Sequence, residues 1–220
     1  MGVDATLAID CLPLTLRDML PQLKAVEVER RITIGSSALT DTHFLEFIAR
    51  LLHDPQLGEQ YTFDLLLGSR AYMSAEDIAF AERFANTPNT LNVVFAESEN
   101  EWLQQIARSK LLVSGRFHHS VAATCLQTPF LLFNSNTPKN KALADRLDEY
   151  PGDLTSDTKD PTPVLHDALK HPHKYQVSHT LIKQLTSAAE LNFPEYPAVP
   201  SAINEGLHCS TAQTASANTG

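Results

Sequence analysis

KLLVSGRFHHSVAATCLQTPFLLFN, residues 110–134, sets the fold class. Two apolar runs, KLLVSG (110–115) and PFLLFN (129–134), flank a segment of small residues from about His118 to Leu126. Short continuous apolar runs bounded by glycine or proline read as strands buried on both faces. The segment between them has the length of a crossover helix. Strand, helix and strand in that order form the unit of a parallel sheet.

The same alternation extends towards the N-terminus. RITIG (31–35), YTFDLLLG (61–68) and LNVVFA (91–96) read as three more strands. Phe44, Phe47, Ile48, Leu51 and Leu52 recur at helical spacing after the first of them. Ser74 and Asp77 form an N-cap pair ahead of Ile78, Phe80, Ala81 and Phe84. Trp102, Leu103, Ile106 and Ala107 share a third helical face, and PKNKALADRLDE (138–149) opens a further helix at a proline. The expected domain, residues 31–150, is therefore an α/β Rossmann-like parallel sheet with helices on both faces and right-handed crossovers.

The flanks read differently. Residues 1–30 offer one strand candidate, TLAIDCLPL (6–14), and a short helix, too little for a second domain and more like a junction segment. YPGDLTSDTKDPTP (150–163) has the composition of a linker. Within 151–192 the linker gives way to helical spacing at Val164, Leu165, Leu169, Val177, Leu181, Ile182 and Leu185, split near Pro172. Residues 193–220, ending STAQTASANTG, have little to bury and are expected to be a disordered tail.

Bulk properties narrow the function. Seventeen Lys and Arg against 26 Asp and Glu give a formal charge of −9, which argues against general nucleic-acid or anionic-membrane binding. Cys11, Cys125 and Cys209 are odd in number and widely spaced, so the expectation is a reducing compartment with no disulfide framework and no zinc site. No basic segment followed by an apolar run opens the chain, and a cytoplasmic location is expected.

Ligands of open parallel sheets sit beyond the carboxyl ends of the strands, near helix N-termini. Arg116 and His118 fall there, after the fourth strand. An arginine fork at a helix start clamps a carboxylate or phosphate, and a nearby histidine moves a proton near neutral pH. A phosphorylated or carboxylated small molecule suits the pair, against the plainer reading of a surface ion pair and a solvent-facing histidine. His118 and His119 point about 100° apart on a helix and compete for one role. Ser36, in the GSS turn after the first strand, presents backbone N–H groups to an anion or simply caps a helix. Lys139 and Lys141 lie beside a helix start after the fifth strand, as phosphate binders or as ordinary surface lysines. HPH (171–173) lacks partners at metal-ligand spacing, so no metal is expected.

These residues carry a resemblance. RSKLLVSGRFHHSVAATCLQTPFLLFNSNTPK (108–139) resembles the polysaccharide pyruvyl transferase family, whose pattern is a strand, R-x-H at the head of a small-residue helix, a strand opened by proline, and a polar turn with lysine. Arg116 and His118 match the R-x-H, Pro129 the strand-opening proline, and NTPKNK (136–141) the turn, with Lys139 and Lys141 both open as its lysine. The strand and GSS turn at 31–37 and the AIDCLPL segment (8–14) before it are similar to the family's mid-chain junction, and the resemblance covers roughly residues 5 to 150.

The resemblance implies a two-domain GT-B-like fold of which this chain is the C-terminal half. It also implies transfer of pyruvate from phosphoenolpyruvate to two hydroxyls of a sugar, forming a ketal on a surface polysaccharide. Arg116 would bind the donor, and His118 would act as acid or base or stabilise phosphate. His119 receives no role. Phosphoenolpyruvate is then the donor substrate, a glycan or lipid-linked sugar the acceptor, and no metal or redox cofactor is called for. A missing N-terminal half or a homo-oligomer would supply the opposite wall of the site. Two other readings compete: the donor half of a GT-B glycosyltransferase or sugar-nucleotide epimerase, and a truncated non-catalytic module.

Overall fold

A computed structural model describes residues 12–23, 26–36, 41–134, 138–147, 149–156 and 160–190. The sheet is built from β1 (Arg31–Gly35), β2 (Thr62–Leu67), β3 (Leu91–Phe95), β4 (Leu111–Ser114), β5 (Phe130–Phe133) and β6 (Asp153–Leu154). Their spatial order is β3-β2-β1-β4-β5-β6, with every pairing parallel. This is the strand order of a Rossmann-like sheet, which reverses direction between β1 and β4.

Alternation along each strand assigns the two faces. Ile32, Ile34, Phe63, Leu65, Leu67, Leu111, Val113, Leu131 and Phe133 join one core. It is shared with α2 (Thr42–His53), α3 (Pro55–Gln60), α4 (Ala75–Arg83) and α8 (Pro161–Lys170). Leu66, Leu112, Phe130 and Leu132 point the other way, into a second core. There they meet α1 (Leu12–Leu23), α5 (Glu99–Arg108), α6 (Phe117–Leu126), α7 (Lys139–Arg146) and α9 (His179–Glu190). Strands covered on both faces need no polar alternation, which is why they appear in the sequence as unbroken apolar runs.

Helix α6 is apolar nearly all round because it is walled on all sides. Phe117 and every residue from His119 to Leu126 are buried, and α1, α5, α7 and the sheet all pack on it. A helix hydrophobic around its whole circumference belongs in an interior. Its small residues, Ala122 and Ala123, are fully buried and allow close packing.

Three local expectations change. Leu12–Leu14, read as the end of a strand candidate, open α1, and residues 6–11 lie outside the described residues. Ile78 is exposed: it lies about 200° round α4 from Phe80, the residue that meets the core. The segment read as a linker contributes β6. Gly152 permits this, because a Cβ there would stand 2.4 Å from the Phe130 carbonyl oxygen. The bare backbone instead comes close enough for Leu132 N–H to donate to Gly152 O at 2.8 Å. The expected tail at 193–220 lies outside the described residues. No helix among the described residues is long and apolar enough to cross a membrane.

Tyr150 secures this end of the sheet. Its buried hydroxyl lies 2.8 Å from both the Phe130 and Tyr175 carbonyl oxygens, joining β5 to the 3-10 turn Pro172–Tyr175. Its ring stacks on Phe130 at 4.6 Å. Burial, the larger effect, raises the phenol well above its ordinary value, so it remains a donor across the usual pH range. Tyr150→Phe keeps the stacked ring and removes the donor, and is expected to lower unfolding stability by about 1–2 kcal/mol. Urea denaturation checks it through a lower midpoint with an unchanged slope.

Candidate functional site

Between β1 and β4 the chain departs to opposite sides of the sheet, to α2 on one face and α6 on the other. A crevice therefore opens at their carboxyl ends. Gly35, the last residue of β1, pairs with Ser114, the last of β4. The residues that follow, Ser36 and Arg116, meet across this crevice although 80 positions separate them.

Their contact belongs to a closed ring of three side chains. Arg116 Nε donates to Ser36 Oγ at 2.7 Å, and Ser36 Oγ donates to Asp77 Oδ1 at 2.9 Å. Arg116 Nη2 closes the ring with an ion pair to the same Asp77 Oδ1. The guanidinium thus spends one side edge on the protein. Nη1 and the second N–H of Nη2 form its end edge, and Nη1 has no hydrogen-bond partner among the described residues. The side chain as a whole is 45% exposed. Two parallel N–H groups match the oxygens of a carboxylate or phosphate.

Asp77 reaches the ring from α4, where it also completes a capping box. Its Oδ2 accepts from Ser74 Oγ at 2.8 Å and Ser74 N at 3.4 Å, and Asp77 N donates to Ser74 Oγ at 3.1 Å. Burial pushes the Asp77 carboxyl up, but the Ser74 hydrogen bond, the Arg116 charge and the Ser36 hydrogen bond together hold it below the usual carboxylate value. The capping role was legible as Ser-x-x-Asp. The grip on Arg116, 39 positions away, was not, and only the Rossmann strand order would have hinted at it.

Burial separates the two histidines. His118 is exposed at the head of α6, with its ring edge-on to Phe117 at 5.5 Å. His119 turns inward and is buried against Gly35, Ser114 and the Trp102 ring, whose centroid lies 5.4 Å away. Its Nδ1 is 3.4 Å from Ser114 Oγ, the hydroxyl that accepts from Arg116 N at 2.9 Å. Burial, followed by the positive charges of Arg116 and His118, lowers its pKa to about 3. His119 is therefore a neutral packing residue under the Arg116 turn. The N-cap residue of α6 is Arg116, whose own side chain makes no cap hydrogen bond.

The lysines also diverge. Lys139 Nζ lies 5.7 Å above the Phe117 ring, at the head of α6. Lys141 Nζ donates to Asp145 at 2.7 Å, one turn along α7; that hydrogen bond and the Asp145 charge raise its pKa. Between them Asn140, fully buried, donates from Nδ2 to Gly115 O at 2.8 Å and Phe133 O at 2.7 Å. It ties the α7 head to the turn that carries Arg116. Ser36, Arg116, His118 and Lys139 thus share the strand ends, and Lys141 faces along its helix. His171 Nδ1 lies 2.7 Å from Asp167 Oδ1, and among the described residues no group of three or more His, Cys, Asp or Glu is placed to hold a metal.

This arrangement lies within residues 4–137, which match the model of the polysaccharide pyruvyl transferase family; Lys139 and Lys141 fall just beyond the match. The chain belongs to this family, a family of transferases. Curated proteins give no match. Among solved structures, TarM is similar at 14% identity and a TM-score of 0.46, covering 79% of this chain and 34% of its own. The trehalose-6-phosphate synthase OtsA is similar at 16% identity and a TM-score of 0.45, covering 86% of this chain and 45% of its own. An alpha,alpha-trehalose 6-phosphate synthase from Burkholderia multivorans gives 13% and 0.44, with coverages of 86% and 45%. The chain spans less than half the length of each of these three structures.

The state of His119 makes stability depend on pH. Its pKa in the fold, about 3, lies below the unfolded value, so between roughly pH 6.5 and 3 the unfolded chain binds a proton that the folded one does not. Its contribution is full above that window and is lost as pH falls through it, with a limiting slope of about 1.4 kcal/mol per pH unit. Urea unfolding of wild type and His119→Asn from pH 7 to 4 checks it. The variant is expected to be less stable at pH 7 and to lose less stability on acidification.

Proposed function

We propose that the chain forms the phosphoenolpyruvate-binding half of a pyruvyl transferase that places pyruvate as a ketal on a sugar of a surface polysaccharide. The observation that carries the reading is the open end edge of Arg116 at the switch point, inside the segment matched to the family.

Phosphoenolpyruvate joins a carboxylate and a phosphate within a few ångströms. The Arg116 end edge offers a paired-donor clamp for one of them, and Lys139 with the head of α6 offers positive potential for the other. Ketal formation then needs proton movement. One sugar hydroxyl adds to the central carbon of the enol as its methylene carbon takes a proton and becomes methyl. A second hydroxyl of the sugar replaces phosphate at the same carbon, and phosphate leaves with the remaining proton. His118, exposed beside Arg116, is the group assigned to carry protons or to meet the departing phosphate. His119 is too deeply buried for that role. The acceptor, a glycan or lipid-linked sugar, would approach from the open side of the crevice. The wall opposite is assigned to a further half of a longer protein or to a second copy of this chain.

Calorimetric titration with phosphoenolpyruvate tests the reading. Binding by the wild type is expected to weaken at least about tenfold in Arg116→Ala, the loss associated with a charge-assisted pair. Lys139→Ala is expected to weaken it more than Lys141→Ala does. Absence of binding by folded wild-type protein would overturn the donor assignment.

A further inference from the structure

The two oxygens of Asp77 do separate jobs. Oδ2 serves the α4 cap through Ser74, whereas Oδ1 turns to Ser36 and Arg116. One oxygen is enough for the capping box, so the second contact is an addition that helix capping does not require. It has two consequences. With Nε on Ser36 and Nη2 on Asp77, the guanidinium cannot swing its side edge towards a ligand and presents its end edge instead. The carboxylate also places a negative charge behind the cation, so Arg116 and Asp77 together carry no net charge.

We infer that Asp77 is a specificity-determining counter-charge of the anion site, orienting Arg116 and weakening its hold on anions in proportion to their charge. The inference rests on the reading that Arg116 meets the anionic groups of the donor. An anion at the end edge sits roughly 6 Å from the Asp77 carboxylate, across the width of a guanidinium. At that distance, in the intermediate dielectric of a half-exposed site, the repulsion amounts to about three- to tenfold in affinity per unit of ligand charge. A singly charged carboxylate is opposed once and a phosphate dianion twice. The site therefore separates anions by charge: a singly charged carboxylate is opposed least, and phosphate and phosphoenolpyruvate are both held more weakly than by a lone arginine.

Asp77→Asn keeps the size of the side chain and an acceptor oxygen for the ring while removing the charge. Calorimetric titration of wild type and variant with phosphoenolpyruvate, inorganic phosphate and pyruvate reads the effect. Phosphoenolpyruvate and dianionic phosphate are expected to bind the variant at least about ninefold more tightly, and singly charged pyruvate about threefold. A purely structural role would leave all three affinities unchanged or weaken them together. Asp77→Ser, neutral and still able to accept from Ser74, provides a second variant if the first does not fold. Asp77→Glu, which keeps the charge, is expected to show no gain. Unchanged or weaker phosphate binding by a folded neutral variant overturns the inference, as does failure of all three anions to bind either protein. If the wild type ignores phosphoenolpyruvate but the neutral variants still gain affinity for phosphate, the donor assignment falls and the counter-charge stands.

Discussion

Gly35 has no side chain, and the imidazole of His119 occupies the space one would take. A Cβ on Gly35 would stand 2.2 Å from His119 Nδ1 and 2.4 Å from Ser114 Oγ, far inside van der Waals contact. This close approach seats the first turn of α6 directly on the paired ends of β1 and β4. It fixes the height and direction of the Arg116 turn, whose backbone N–H rests on the Ser114 hydroxyl. Any larger residue at position 35 would have to displace the His119 imidazole and the Ser114 hydroxyl that lie beneath the Arg116 turn. The site is therefore a consequence of packing beneath it.

The electrostatics follow from the same burial. A chain of formal charge −9 has little overall attraction for a phosphorylated, carboxylated ligand, so the attraction has to be local. His119 adds nothing to it, because burial keeps the ring neutral. What remains is the end edge of Arg116, the Lys139 ammonium above Phe117 and the head of α6. Asp77 tempers this small positive region from behind. An orienting carboxylate behind an arginine trades affinity for geometry.

Much of the fold was legible because the main strands are covered on both faces and stand out as apolar runs. RITIG, KLLVSG and PFLLFN became β1, β4 and β5 within a residue or two at each end. β6 was hidden, because two residues beside a glycine and a proline carry no periodicity. Its existence depends on the space over Phe130 that Gly152 leaves open. Ser74 with Asp77 was visible as a cap because both partners lie within one helical turn. The site was legible only one segment at a time. Arg116 and Ser36 each had a local rationale as anion binders, but their contact depends on the strand order that makes β1 and β4 neighbours. Similarly, the spacing of His118 and His119 established that they diverge. Which of them points inward depended on where the glycine of a distant strand lies.

A crystal structure of the protein with phosphoenolpyruvate tests the central claim most directly, namely that the crevice between β1 and β4 is an anion site read by the end edge of Arg116. The expected result is ligand density beyond the carboxyl ends of β1 and β4. Carboxylate or phosphate oxygens should lie within about 3 Å of Nη1 and Nη2, with the Arg116–Ser36–Asp77 ring intact. Ligand bound instead at the opposite end of the sheet, for example in the groove lined by Leu23, Val28, Lys110 and Pro129, with the Arg116 edge empty, would contradict it.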